Sequence, residues 1–129
     1  MRKLAIIALV LFAAAGIAFA KDYEVKKRAG AYDVDVRIDK NPPVVGDNGI
    51  TVKVKDSSGA DVTDAKVKID YSMPPMPGMA PMNYKTDTEL AGKEYRAVMN
   101  LSMAGPWNIA VKIARGGKTA TMKFSIDAR

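Results

Sequence analysis

Apolar and polar residues alternate with a period of two through almost the whole chain beyond its first thirty residues, and that pattern leaves little room for a helix. Tyr32, Val34, Val36 and Ile38 fall on one side of an extended segment, with Asp33, Asp35 and Arg37 on the other. The same alternation places Ile50, Val52 and Val54 together, then Ala65, Val67, Ile69 and Tyr71. It returns in Tyr95, Ala97, Met99 and Leu101, in Trp107, Ile109, Val111 and Ile113, and in Ala120, Met122, Phe124 and Ile126. "NYKTDTEL" reads as one further short strand, and "KDYEVKKRAG" as a frayed edge strand whose cations discourage edge-to-edge pairing. Turn chemistry separates these runs: Pro42-Pro43 with Gly46, "DSSGAD", "AGK", "MAGP" and Gly116-Gly117. About seven short, half-buried strands at near-regular spacing predict an all-β fold, an immunoglobulin-like antiparallel β-sandwich.

Residues 1–20 form a separate signal. Arg2 and Lys3 precede an apolar run from Leu4 to Ala20, which ends in Ala18-Phe19-Ala20 before the polar "KDYEV". This is the order of an export signal with cleavage after Ala20, leaving a periplasmic or secreted domain over 21–129 with no stable membrane span. The apolar run is at the short limit for an uncleaved spanning helix. The remaining 109 residues suffice for one hydrophobic core without staples, and the chain has no Cys for a disulfide. It also has no His, which removes imidazole metal sites, Ser–His catalysis and a histidine proton shuttle. No carboxylate pair stands out as an acid–base couple, and no Gly-rich phosphate cradle or calcium-loop spacing occurs. The chain reads as a non-enzyme. Its net charge is +6, or +4 without Arg2 and Lys3. The lysines alternate with apolar residues instead of clustering and have no interleaved aromatics, so they read as solvated strand faces and not as a nucleic-acid site.

One stretch departs from the alternation. "SMPPMPGMAPMNY" spaces Met73, Met76, Met79 and Met82 three apart, with Pro74, Pro75, Pro77 and Pro81 between them. In polyproline II geometry, which rises roughly 3.1 Å per residue, neighbouring methionines stand about 9 Å apart. Met76-Pro77-Gly78-Met79 changes that spacing. Proline at the second position and glycine at the third is the signal for a type II turn, which brings its end residues within about 7 Å. Met76 and Met79 are therefore the first-choice pair for a shared ligand, with Met73, Met82 and Met103 as candidates for a third position. Neutral, soft thioethers suit Cu(I) and are poor ligands for Zn(II), Mg(II) or Ca(II). Trp107 is placed to shield such a cation, although a core anchor is the commoner role of tryptophan in a sandwich. Met99 and Met122 sit at inward positions and read as core filler. A second reading competes on equal terms: a Met- and Pro-rich loop also makes an adaptable apolar surface for docking a partner protein.

The motifs in order resemble the YtkA-like domain family, which is related to the FixH proteins. The pattern runs through Pro43, Gly46 and Asn48, then Asp56 and Gly59, then Met76, Pro77 and Met79, then Tyr95, Met103, Gly105 and Trp107. It covers about residues 31 to 127. The resemblance implies a small extracytoplasmic β-sandwich met near copper handling, with a copper pump, an oxidase-assembly factor or an efflux component as partner. FixH-like members are membrane-anchored, whereas the cleavable signal expected here favours a soluble form. The resulting expectation is a periplasmic protein that carries Cu(I) on loop methionines and hands it on; the alternative is a metal-free docking module. The sequence sets no oligomeric state.

Overall fold

The computed structural model describes residues 22–129. The export signal and its cleavage point lie outside the described residues. Nine strands follow one another: β1 (Tyr23–Ala29), β2 (Tyr32–Ile38), β3 (Gly46–Lys55), β4 (Lys66–Met73), β5 (Met82–Asp87), β6 (Glu89–Ala91), β7 (Glu94–Leu101), β8 (Gly105–Arg115) and β9 (Lys118–Ala128). They form a five-stranded sheet in the order β1-β2-β3-β7-β6 and a four-stranded sheet in the order β5-β4-β8-β9, with every pairing antiparallel. The expected β-sandwich is present, with nine strands in place of about seven.

Two elements account for the difference. The N-terminal segment is a full edge strand, paired with β2 from Tyr23 opposite Ile38 to Ala29 opposite Tyr32. Its alternation is masked because Lys26, Lys27 and Arg28 stand in a row, yet Tyr23 and Val25 still pack against the core. The segment "NYKTDTEL" is divided between the sheets. At Thr88 the chain leaves β5 and enters β6, and both the Thr88 backbone N–H and its hydroxyl donate to the Val67 carbonyl, at 3.3 and 2.8 Å. That pair of bonds anchors the crossing to β4.

The inward positions fill the space between the sheets. Val36, Ile38, Val52, Val54, Ile69, Met99, Leu101, Trp107, Val111 and Ile113 have no measurable exposure. Met122 is also buried, so both methionines expected in the core are there. Deleting any of the larger side chains would cost roughly 2–5 kcal/mol, because such a core relaxes only partly around a cavity. The β8–β9 hairpin closes on two residues, Gly116 and Gly117, with φ of +61° and +79°. Positive φ at both central positions is the hairpin geometry that matches strand twist.

Polar groups hold the loops to this core. Tyr95 is buried on β7, where its hydroxyl donates to the Val62 carbonyl (2.9 Å) and accepts from the Ala65 N–H (3.1 Å). Asn48 is wholly buried and closes the β2–β3 connection: its amide donates to the Val44 and Gly46 carbonyls, and its Oδ1 accepts from the Val44 N–H. Asp56 Oδ1 accepts from the Ser58 hydroxyl (2.6 Å), the Ser58 N–H and the Ala60 N–H, while Gly59 turns the chain with φ of +86°. At the far end of β9, Arg129 exchanges backbone bonds with Pro43 and Val45, tying the last strand to the opposite sheet's loop.

Replacing Tyr95 with Phe leaves one buried carbonyl and one N–H without a partner. We expect a loss of about 1–3 kcal/mol in urea unfolding with an unchanged m value. For Asp56, the Ser58 hydroxyl bond, followed by the Ala60 N–H bond, holds the carboxyl below its ordinary value. Its contribution is therefore complete above the ordinary aspartate range and is lost as pH falls through the lowered folded value. Asp56→Asn keeps the acceptor oxygen and removes the charge. The variant is expected to be less stable than the parent at neutral pH, with the difference narrowing once the pH falls below the ordinary aspartate value, measured by unfolding from neutral to acid pH.

Candidate functional site

The methionine segment is the loop of the β4–β5 hairpin. Its ladder pairs Tyr71 with Tyr84, Ser72 with Asn83 and, last, Met73 with Met82. Pairing stops there because Pro74 and Pro75 have no N–H to continue it. At the tip, the Met79 N–H donates to the Met76 carbonyl at 3.0 Å, and Gly78 has φ of +79°. These are the bond and the left-handed third residue of the turn expected from Met-Pro-Gly-Met.

The loop methionines differ in surroundings. Met73 is buried with 4 % exposure, Met76 and Met82 are half-buried against the core, and Met79 is exposed at 37 %. The turn therefore joins one thioether that leans on the protein to one that faces solvent. Met103, in the connection between β7 and β8, is half-buried and also packs against the core.

This connection meets the base of the methionine hairpin at two points. The Met73 methyl lies so close to Gly105 that a Cβ on that residue would stand 3.3 Å from it. The Ser102 hydroxyl donates to the Met82 sulfur at 3.6 Å, and the Tyr84 hydroxyl lies 3.5 Å from Ser102 Oγ. A thioether sulfur has two lone pairs, so this bond leaves Met82 one for a further ligand. The residues on both sides of Met103 thus touch Met73 and Met82, and five methionines belong to one end of the sandwich.

Trp107 lies beneath them. It has no measurable exposure, and its indole N–H donates to the Met103 carbonyl at 3.0 Å. Its ring centroid is 6.1 Å from those of Tyr71 and Tyr84, which stack on each other at 5.4 Å. The β4–β8 ladder sets Ser72 opposite Asn108, so Met73 and Trp107 are the next positions along it on the inner face. Trp107 is a core anchor, and its ring is part of the floor on which the methionine end rests. Sequence reasoning did not find Tyr71 and Tyr84 as part of this floor. Both lie at inward positions of a hairpin whose register could have shown them stacked. Among the described residues, no group of three or more His, Cys, Asp and Glu side chains gathers in a way that could hold a metal ion.

Gly105 is a sensitive point of this arrangement, with φ of +125° as well as the close Met73 methyl. Gly105→Ala should cost about 1–3 kcal/mol, most of it backbone strain, because a flexible thioether methyl can move aside and the backbone cannot. The Met73 methyl resonance should shift in the variant while that of Met122, on β9, stays in place.

No curated protein matches the chain. A family model described as YtkA-like matches residues 22–112, which takes in most of both sheets, the methionine hairpin and the Met103–Trp107 connection. The chain belongs to the YtkA-like family.

Proposed function

We propose that the protein is a periplasmic Cu(I)-binding protein that carries the ion on thioethers at one end of the sandwich and passes it to an efflux or oxidase-assembly partner. The observation that carries this reading is the gathering of Met73, Met76, Met79 and Met82 on one hairpin, with the Met103 connection against its base. Met76 and Met79 are the leading ligands, since the turn brings their backbones together and leaves Met79 open to solvent. Met82 is the best third ligand because it is only half-buried and keeps a free lone pair. Met73 is more deeply covered and supports the hairpin base. Such a site binds a soft monovalent ion without any proton release, and an exposed ligand offers a partner a place to begin ligand exchange. The copper setting and the partner classes are those implied by the family resemblance.

A second reading is supported by the exposure of Met79 and Tyr84, 37 % and 39 %, one at the tip of the hairpin and one on its second strand. Apolar groups open to solvent at a Pro-rich loop suit docking of a partner protein without metal.

The two readings separate under anaerobic Cu(I) titration against a chromophoric chelator. Carriage of Cu(I) requires competition by the parent protein, methyl shifts at Met76 and Met79 with smaller ones at Met82, and none at Met99 or Met122. Met76→Leu/Met79→Leu should abolish competition while keeping apolar bulk. Because thioethers do not titrate, affinity should stay level from about pH 5 to 8, where the chain has no His to change charge. Competition equal in the parent and the double variant would remove the copper reading. Retained partner capture by the variant would then favour docking.

A further inference from the structure

The four-stranded sheet turns one face to the core and the other to solvent, and the solvent face is ordered in rows. Asn83, Ser72, Asn108 and Ser125 stand opposite one another across β5, β4, β8 and β9. The next row is Lys85, Asp70, Ala110 and Lys123. Ala110 is the small member at the centre, and around it lies an open depression of about 710 Å³ that Lys27 and Lys112 also border. The short amide and hydroxyl side chains form its neutral part, with Ser125 Oγ donating to Asn108 Oδ1 at 3.0 Å.

The charge on this face is unbalanced. Asp70 is its one carboxylate at the depression, and Lys112 already pairs with it at 2.7 Å. Among the described residues, Lys27, Lys85 and Lys123 form no ion pair. The outer face of the other sheet is different. There Asp35 stands between Lys26 and Lys53, and Asp33 between Arg28 and Lys55, so acids and bases interleave across the strands. On that face Arg28 pairs with Asp33 and Arg37 with Asp35, while Lys53 and Lys55 form no ion pair among the described residues. The face around Ala110 is thus set apart by its small neutral centre and single acid, not by unpaired cations alone.

We propose that the depression around Ala110 is a docking site for an extended, acidic segment of a protein partner, held by Lys85 and Lys123 at its two ends. The spacing fits. Those two lysines are three inter-strand steps apart, or about 14 Å, and an extended chain advances about 3.3 Å per residue, so carboxylates about four residues apart match them. Between the two lysines lie Ala110 and Asp70, the latter neutralised by Lys112, and the adjacent neutral row offers donors and acceptors to the segment's backbone. A bilayer surface fits less well. A planar headgroup layer cannot fill a concave site, and Tyr84, the one large exposed apolar residue bordering it, is stacked on Tyr71 instead of standing free to insert. A glycan would find only that ring at the edge strand, with one face already covered by Tyr71. The proposal involves none of the methionines, and it stands or falls apart from copper binding.

The test uses metal-free, isotope-labelled protein and a fluorescent octapeptide of alternating glutamate and serine, with phosphatidylglycerol vesicles as a second probe. Saturable peptide binding is expected, with amide shifts confined to the residues around Ser72, Asn83, Ala110 and Lys123. Binding should weaken as salt is raised. Lys85→Gln/Lys123→Gln should weaken it roughly tenfold, the size of two lost exposed charge pairs, while Lys53→Gln/Lys55→Gln on the other sheet leaves it unchanged. The proposal is overturned by any of three results: no saturable peptide binding, equal effects of the two lysine pairs, or vesicles engaging this face in place of the peptide.

Discussion

A buried indole N–H must be paired, and the pairing of Trp107 sets the geometry of the methionine end. The ring is sealed between the sheets, so its one donor has to find an acceptor within the protein. It finds the Met103 carbonyl. That bond folds the β7–β8 connection back over the ring, and only then can Ser102 reach the Met82 sulfur and Gly105 make room for the Met73 methyl. The packing of one core residue thus decides which methionines become neighbours. A phenylalanine there would fill much of the same space and leave the connection without its tether.

The residues that carry the family resemblance divide into two kinds once their environments are known. Asn48, Asp56, Gly59, Tyr95 and Gly105 each have a structural role. Asn48 closes a loop with a buried amide, and Asp56 closes a turn with its carboxylate. Gly59 and Gly105 supply positive φ, and the Tyr95 hydroxyl bridges a carbonyl and an N–H. Met79 has no comparable role, and Met76 leans only in part on the core. Their turn is held by a backbone bond and by Gly78, and the exposed Met79 position would accept an apolar or a polar side chain. A thioether at a position where folding asks for none supports a reading in which the sulfur itself is needed. Met73 and Met82 support it less, because their pairing at the hairpin base also seals the core.

Much of the fold was legible in the sequence because half-buried strands write their orientation into every second residue. The inward sets from Tyr32 to Ile38, Ile50 to Val54 and Trp107 to Ile113 all face the core as the alternation predicts, and the Met-Pro-Gly-Met turn forms with its expected bond. Strand β1 was obscured because Lys27 occupies the core-side register position opposite Val34, so that it runs together with the outward Lys26 and Arg28. The division of "NYKTDTEL" was not legible because a change of sheet at Thr88 depends on where β4 and β7 lie, which no local pattern encodes. Of the site, the methionine turn was visible. The approach of Ser102 and Gly105 was not, since it follows from the bond that Trp107 makes to the carbonyl four residues before it.

The same register that builds the core also determines what lies next to the methionine end. Side chains alternate across a strand, so the inward Met73 and Met82 are followed at once by the outward Ser72 and Asn83, the first members of the neutral row on the solvent face. The hairpin loop and the basic depression are therefore consecutive features of the same two strands, though they face different ways. A partner segment seated on the outer face would meet Lys85 and Lys123 on the two edge strands and an uncharged row toward the loop. That order keeps fixed ammonium groups away from the thioethers, and a monovalent cation held by neutral ligands loses stability when like charges crowd it. The separation of the cationic rows from the sulfur-rich end is thus compatible with both a cation at the loop and an acidic partner on the sheet, and each would lower the electrostatic cost of the other.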